Sequence, residues 1–375
     1  MALSRNLSLT NEMTLPRLLW DWGTAYDLFV SLDVLHHPAD FGVRGSWAAG
    51  VRARLPAAER EVLEQSQLLF RWPLHWIYTL PKPKDGTAVL WTLGQIPPAE
   101  RLPVLSLMPG GLSADVTEAL RRVALRGTWD EQDQEVLRAY PYQPCGKEDK
   151  SPLSPQELSI ILRWWSRSEE FGERYLKGLR AYQEVFFAEE EERIRPALQA
   201  ALSRAQEQAE RLALPDLWEE VSQGLRFDAL PEETELVLAP SFWSTPLVFF
   251  GRVSAERAIW LFGARPPDAS LVPGEMVPDA VLRVLKALSD STRLRILHYL
   301  AQEPLTPAEL SRRLRLRAPT VTYHLGMLRL AGLVQMTLGE DTEVKGYAMR
   351  LEAVAAAFAS LKDFLEQDAT EPSQG

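Results

Sequence analysis

The chain has almost no cysteine and no long apolar run. Cys145 is the single cysteine among 375 residues, so an internal disulfide and a cluster of thiolate metal ligands are both excluded. No apolar run approaches the ~18 residues of a membrane-spanning helix, and the first residues lack the apolar core of a secretory signal peptide. We therefore expect a cytoplasmic protein that does not bind membranes.

Recognisable catalytic and metal-binding patterns are also missing. The sequence contains no phosphate-binding loop, dinucleotide fingerprint, nucleophile elbow or metalloprotease motif. His36 and His37 are adjacent, but neighbouring side chains on a helix point about 100° apart and rarely share an ion. We favour a helix-capping role for this pair, and we expect no enzyme activity, no bound metal and no cofactor.

Strong helix signals are present near the carboxyl end. Thr306, Pro307 and Glu309 supply a capping hydroxyl, a proline at the first helical position and a carboxylate that reaches back to the cap. This pattern predicts a helix over 307–314, a turn over 315–318 and a second helix over 319–331. The arrangement is typical of a helix-turn-helix that reads DNA.

The second helix has one narrow apolar stripe, which leaves its other face for a ligand. Side chains on that face carry hydroxyl groups that can bond to base edges or phosphates, and its glycine permits close approach of DNA. No Arg, Asn or Gln lies there, so the sequence indicates no preferred operator. The stripe is Val321, Leu325 and Leu328, and the residues predicted to face DNA are Thr320, Thr322, Tyr323 and Gly326.

Positive charge is concentrated in this part of the chain. Residues 278–351 hold 11 Lys and Arg against 7 Asp and Glu, whereas the whole chain holds 41 against 51. Cationic side chains around a recognition helix neutralise DNA phosphates and set its register. The predicted phosphate contacts are Arg312, Arg313, Arg315, Arg317, Arg329 and Lys345.

Three stretches, 288–297, 319–325 and 328–334, resemble the ArsR (arsenic-repressor) family of winged-helix regulators. The resemblance implies a dimer that binds a palindromic operator, with repression as the usual outcome. It also implies that 307–314 is the supporting helix, 319–331 the recognition helix and 334–349 the wing.

Two features depart from that family. The wing tip holds Glu340, Asp341 and Glu343, opposed only by Lys345, so contact between the wing and phosphates is left open. The thiolate and histidine ligands of the family's metal sensors are missing, because 304–314 contains neither Cys nor His and no His follows His324.

The final helix carries apolar residues at intervals of 3, 4, 3 and 4, the spacing of a helix seam. This seam is a homodimer interface or a surface that packs on the helix near 281–288. The two interpretations are compatible. We expect a homodimer, because a palindrome presents two half-sites. The seam residues are Leu351, Val354, Phe358, Leu361 and Leu365.

A proline-rich stretch divides the chain. We predict an accessory domain over 1–264, a linker over 265–277, a winged helix over 278–367 and a disordered tail over 368–375. The overall class is mainly α, of the α+β type. The accessory domain is predicted to have helices over 15–36, 57–70, 114–125, 131–139 and 156–212, the last restarting or kinking at Pro196, and an antiparallel meander over 235–262.

The accessory domain holds all 12 tryptophans, none beyond Trp260. Such rings can line a pocket for an apolar or cationic small-molecule effector, although core packing is the better interpretation for most of them. This domain also resembles the region before the winged helix in some longer ArsR-like regulators, which supplies no binding residues. We expect a dimeric DNA-binding repressor; the alternatives are a winged helix that binds protein and, less favoured, an enzyme fused to a DNA-binding domain.

Overall fold

The computed structural model describes residues 15–139, 153–227, 233–272, 277–339 and 344–367. The described chain is mainly helical with small sheets, as the predicted fold class requires. Cys145, the acidic residues of the wing tip and the tail over 368–375 lie outside the described residues.

The amino-terminal helices surround α1, whose residues from Thr24 to Leu35 are all buried. The predicted single helix over 15–36 is wrong in its first part, because Arg17–Trp20 forms a strand that pairs with a strand over 200 residues later in the chain. These elements are β1 (Arg17–Trp20), α1 (Thr24–His36), α2 (Gly45–Ala53), α3 (Ala57–Ser66), α4 (Leu74–Tyr78), α5 (Gly86–Gln95), α6 (Pro98–Ser106), α7 (Ala114–Arg126) and α8 (Glu131–Ala139).

The long helical stretch predicted over 156–212 is divided into shorter elements, but the division is not at Pro196. It ends first at Arg167, whose backbone leaves the helical region, and a π-helical turn over Gln183–Phe187 interrupts it again. The helix runs through Pro196, with Ile194 and Leu198 buried on either side, so side-chain packing holds the backbone although one hydrogen bond is lost. The elements are α9 (Pro155–Ser166), α10 (Ser168–Tyr182), α11 (Ala188–Ala209) and α12 (Leu214–Val221).

The sheet of the accessory region is mixed rather than an antiparallel meander. Its order is β1-β3-β5-β4, in which β1, β3 and β5 run parallel and only β4 is antiparallel to its neighbour. Continuous buried runs in β3 and β5 suit parallel strands covered on both faces. The strands are β2 (Leu225–Phe227), which belongs to a second sheet, and β3 (Glu235–Ser241), β4 (Phe249–Arg252) and β5 (Arg257–Gly263).

A buried carboxylate fastens α1 to the end of β3. The hydroxyl of Ser241 and the backbone N–H of Trp243 each donate to Asp27 at 2.8 Å. Burial raises the pKa of Asp27 to about 7, although these hydrogen bonds act in the opposite direction. The contact fixes the central helix against the sheet.

The winged-helix part has an apolar core of its own. The segment before it is not free: Leu271 is buried, and the guanidinium of Arg193 donates to the Ser270 carbonyl at 3.1 Å. The limits of the domains remain predictions. The elements are α13 (Asp279–Leu288), α14 (Ser291–Leu300), α15 (Pro307–Leu314), α16 (Ala318–Leu330), β6 (Val334–Leu338), β7 (Val344–Met349) and α17 (Leu351–Gln367).

The two parts share a sheet. β2 pairs in parallel with β6, and β6 pairs antiparallel with β7, so the order is β2-β6-β7. Leu338 at the end of β6 is buried in the core of the amino-terminal part. The accessory region therefore contributes an edge strand to the wing.

Candidate nucleic-acid interface

The supporting helix α15 has the predicted bounds and the predicted cap. The Thr306 hydroxyl accepts from the Glu309 N–H at 3.2 Å, and the Glu309 carboxylate accepts from the Thr306 N–H at 2.8 Å. The Thr306 N–H and the Thr306 hydroxyl both donate to the Glu309 carboxylate and hold its pKa below the usual range. Leu310 and Leu314 are buried beneath the helix. The cap and the buried side chains therefore specify the same helix.

The turn between the two helices depends on a residue in the left-handed region. Arg315 has φ +57° and donates its backbone N–H to the Ser311 carbonyl. The Ser311 hydroxyl donates in turn to the Leu316 carbonyl. Since non-glycine residues rarely adopt this conformation, the turn is specified by hydrogen bonds rather than by an obvious turn residue.

Helix α16 presents the predicted face to solvent. Val321, Leu325 and Leu328 are fully buried, which fixes the rotation of the helix. Tyr323 is 63% exposed, an unusual position for a large aromatic ring. The remaining predicted contacts on this face are also exposed: Thr320, Thr322 and Gly326.

Four of the predicted phosphate contacts lie around α16 with exposed side chains: Arg312, Arg313, Arg315 and Arg317. Arg313 forms an ion pair with Glu303 at 2.7 Å and lies over the Tyr299 ring. Within the described ranges Arg312 has no ion-pair partner, which makes it the better phosphate candidate of the two. Lys345 is exposed on β7.

The prediction that Arg329 contacts a DNA phosphate is wrong. It is only 7% exposed, and its guanidinium donates to the carbonyls of Gln223 and Ser222 at 2.9 and 3.0 Å. Burial lowers its pKa to about 10, so it remains cationic at neutral pH. Arg329 thus connects α16 to the accessory region, and its guanidinium is not available to a phosphate.

Sequence reasoning missed the partners in this connection. Gln223 has φ +57°, and its carbonyl also accepts from the Arg350 guanidinium at 2.8 Å. The Met336 N–H donates to the Gly224 carbonyl at 2.9 Å. No local pattern around 222–224 signals this role, because its hydrogen-bond partners lie more than 100 residues later.

The apolar seam of the final helix, α17, is partly buried and partly exposed. Val354 and Leu361 are partly buried, and α17 packs on α13. Leu351, Phe358 and Leu365 are exposed, with Phe358 at 53%. The packing interpretation therefore accounts for part of the seam and leaves an apolar surface uncovered.

Most tryptophans of the accessory region fill its core. The rings of Trp164, Trp165, Trp218 and Trp243 are fully buried. Trp91 on α5 is exposed. This distribution agrees with the favoured interpretation of the tryptophan content.

Comparison with known families assigns a helix-turn-helix domain to residues 288–337. The match covers the elements from α14 to most of β6 and suggests a DNA-binding regulator. No curated protein and no solved structure matches the chain.

Among the described residues, no helix combines the length and the apolar character that a membrane span needs. The same residues also offer no metal site. No group of three or more His, Cys, Asp or Glu side chains in the described ranges is placed to hold a metal ion.

Gly326 offers a test that separates folding from DNA contact. A Cβ added there would meet no atom within 4 Å, so Gly326→Ala should raise the free energy of unfolding by up to about 1 kcal/mol through helix propensity. If DNA backbone or bases approach this point, the methyl group should lower duplex affinity about tenfold. Urea unfolding and fluorescence anisotropy measure the two effects. Unchanged or tighter DNA binding would remove Gly326 from the interface.

Proposed function

We propose that the chain is a dimeric transcriptional repressor that binds a palindromic operator through α16. The exposed face of α16, bordered by Arg312, Arg315 and Arg317, carries this proposal. Hydroxyl groups on the face supply hydrogen bonds to bases, and the guanidinium groups supply sequence-independent attraction to phosphates.

The uncovered apolar surface on α17 supports the dimer. Leu351, Phe358 and Leu365 follow one another at two-turn intervals on this helix. Leu285 on the adjacent α13 and Leu294 on α14 are exposed as well. Burying these side chains against a second copy would place two recognition helices in one particle, as a palindrome requires.

Phe358→Glu should disrupt this dimer, because a carboxylate would be buried in an apolar interface. The variant is expected to sediment as a monomer at concentrations where the native chain is a dimer, and its affinity for a two-half-site duplex should fall more than tenfold. Ala356→Glu, which adds the same charge on the opposite side of α17, is the matched control. A native chain that sediments as a monomer, or equal effects of the two substitutions, would contradict the proposed interface.

The accessory region is proposed to act as the effector or interaction domain. Its β2 strand extends the wing sheet, and its 222–224 turn accepts hydrogen bonds from Arg329 at the end of α16. Movement of α12 and β2 would therefore move the recognition helix and the wing together. Such a connection changes half-site spacing when an effector favours one arrangement.

Selection from a pool of random duplexes tests the proposed function. The native chain should enrich a palindrome whose half-site centres are about one helical turn apart. Enrichment of no sequence, with retention of a protein partner instead, would favour a protein-binding winged helix.

A further inference from the structure

A cavity in the accessory region is lined by no residue of the sheet shared with the wing. It has a volume of about 880 Å³ and is bounded by the end of α1, by α2 and α3 and by the start of α9. This volume is within the range of small-molecule sites in proteins. The proposed DNA interface does not use it.

The cavity wall carries two guanidinium groups without carboxylate partners among the described residues. The Arg52 guanidinium donates to the Leu35 carbonyl at the end of α1, whereas the Arg60 guanidinium makes no hydrogen bond or ion pair with the described residues. Both side chains are partly buried. A guanidinium group binds carboxylate or phosphate oxygens through two parallel hydrogen bonds, so these groups favour an oxyanion.

The cavity wall also carries two acidic residues, Glu64 and Glu157. Glu157 accepts from the Ser154 N–H at 2.9 Å and so completes the cap of α9. Glu64 is exposed, and it lies one turn after Arg60 on α3 without forming an ion pair with it. Glu64 would repel an anion from the rim, an effect that substitution can measure.

We infer that this cavity binds a small organic anion, a carboxylate or a phosphate ester, with its oxyanion on Arg60 and Arg52. The inference deepens the proposed function, because it gives the effector domain a ligand site. A short segment connects the cavity wall to α13: five residues after His37, a Cβ added at Gly42 would lie 3.3 Å from Arg283 Cδ.

Calorimetric titration of the full chain without DNA tests this inference. The probes share one carbon skeleton: gluconate carries a carboxylate, glucose 6-phosphate carries a phosphate ester, and glucose is neutral. We expect at least one anion to bind with a dissociation constant below about 1 mM, and glucose not to bind. The stronger anion identifies which oxyanion the arginines accept.

Two substitutions on α3 should change this affinity in opposite directions. Arg60→Gln should weaken anion binding at least about tenfold, because a charge-assisted pair is lost, whereas Glu64→Gln should strengthen it about two- to fivefold. Arg121→Gln, on an exposed surface of α7, is the control and should change nothing. Failure of both anions to bind, equal binding of glucose, or equal losses in Arg60→Gln and Arg121→Gln would overturn the inference. Since no DNA is present, these failures leave the proposed DNA binding to be judged separately.

Discussion

Arg312→Ala is expected to weaken binding to every duplex by a similar factor and to reduce the slope of log affinity against log salt by about 1. The reason is that an exposed guanidinium without an ion pair in the described chain can neutralise one phosphate. Arg313→Ala should act in the same direction but less strongly, since Arg313 already pairs with Glu303. The double variant should lose more than either single variant.

Tyr323→Ala provides the contrasting result. Its exposed ring lies on the outer face of α16, so removal should reduce discrimination between operator and mismatched duplexes by about 1–3 kcal/mol while leaving the salt slope unchanged. Titrations of the selected duplex and of single-mismatch duplexes measure both quantities. Equal losses on all sequences, as in the arginine variants, would refute a base-reading role for Tyr323.

Arg329→Met is the second substitution with a large expected effect. It should lower the stability of the fold and, as a consequence, the affinity for the operator. The substitution leaves the carbonyls of Ser222 and Gln223 without these donors in a buried connection, which should cost about 2–4 kcal/mol of unfolding free energy. Operator affinity should fall because α16 and the wing lose their support, yet the salt slope should stay unchanged because Arg329 is not expected to contact a phosphate.

Arg317→Met is the matched control for that substitution, since Arg317 is exposed at the start of the same helix. It should leave stability within about 0.5 kcal/mol and reduce the salt slope instead. Urea unfolding and salt titration of both variants decide the assignment. A reduced salt slope with unchanged stability in Arg329→Met would restore Arg329 to the phosphate contacts.

Local sequence signals predicted the helix-turn-helix well. The cap at Thr306 and the apolar stripe through Val321 and Leu325 determine where two helices begin and which face is buried. These signals act over a few residues, and tertiary contacts here agree with them. The exposed face of α16 could therefore be predicted before the structure was known.

The errors arise where partners lie far apart in the chain. Arg17–Trp20 continues an apolar pattern that suits a helix, but pairing with β3 makes it a strand. The direction of β3 relative to β5 likewise depends on the chain path between them. Arg329 has the sequence context of a surface cation, and only the turn at Ser222 explains its burial. The cavity near Arg60 is also formed by helices from separate parts of the chain.

The most direct test of the account is the salt dependence of operator binding by the native chain. Arg312, Arg313, Arg315 and Arg317 are the four arginines expected to face phosphates, and each neutralised phosphate contributes about 0.9 to the slope. We predict a slope between about −3 and −4 per protomer on the selected duplex. A slope near zero, or binding that strengthens with salt, would contradict DNA recognition through this face.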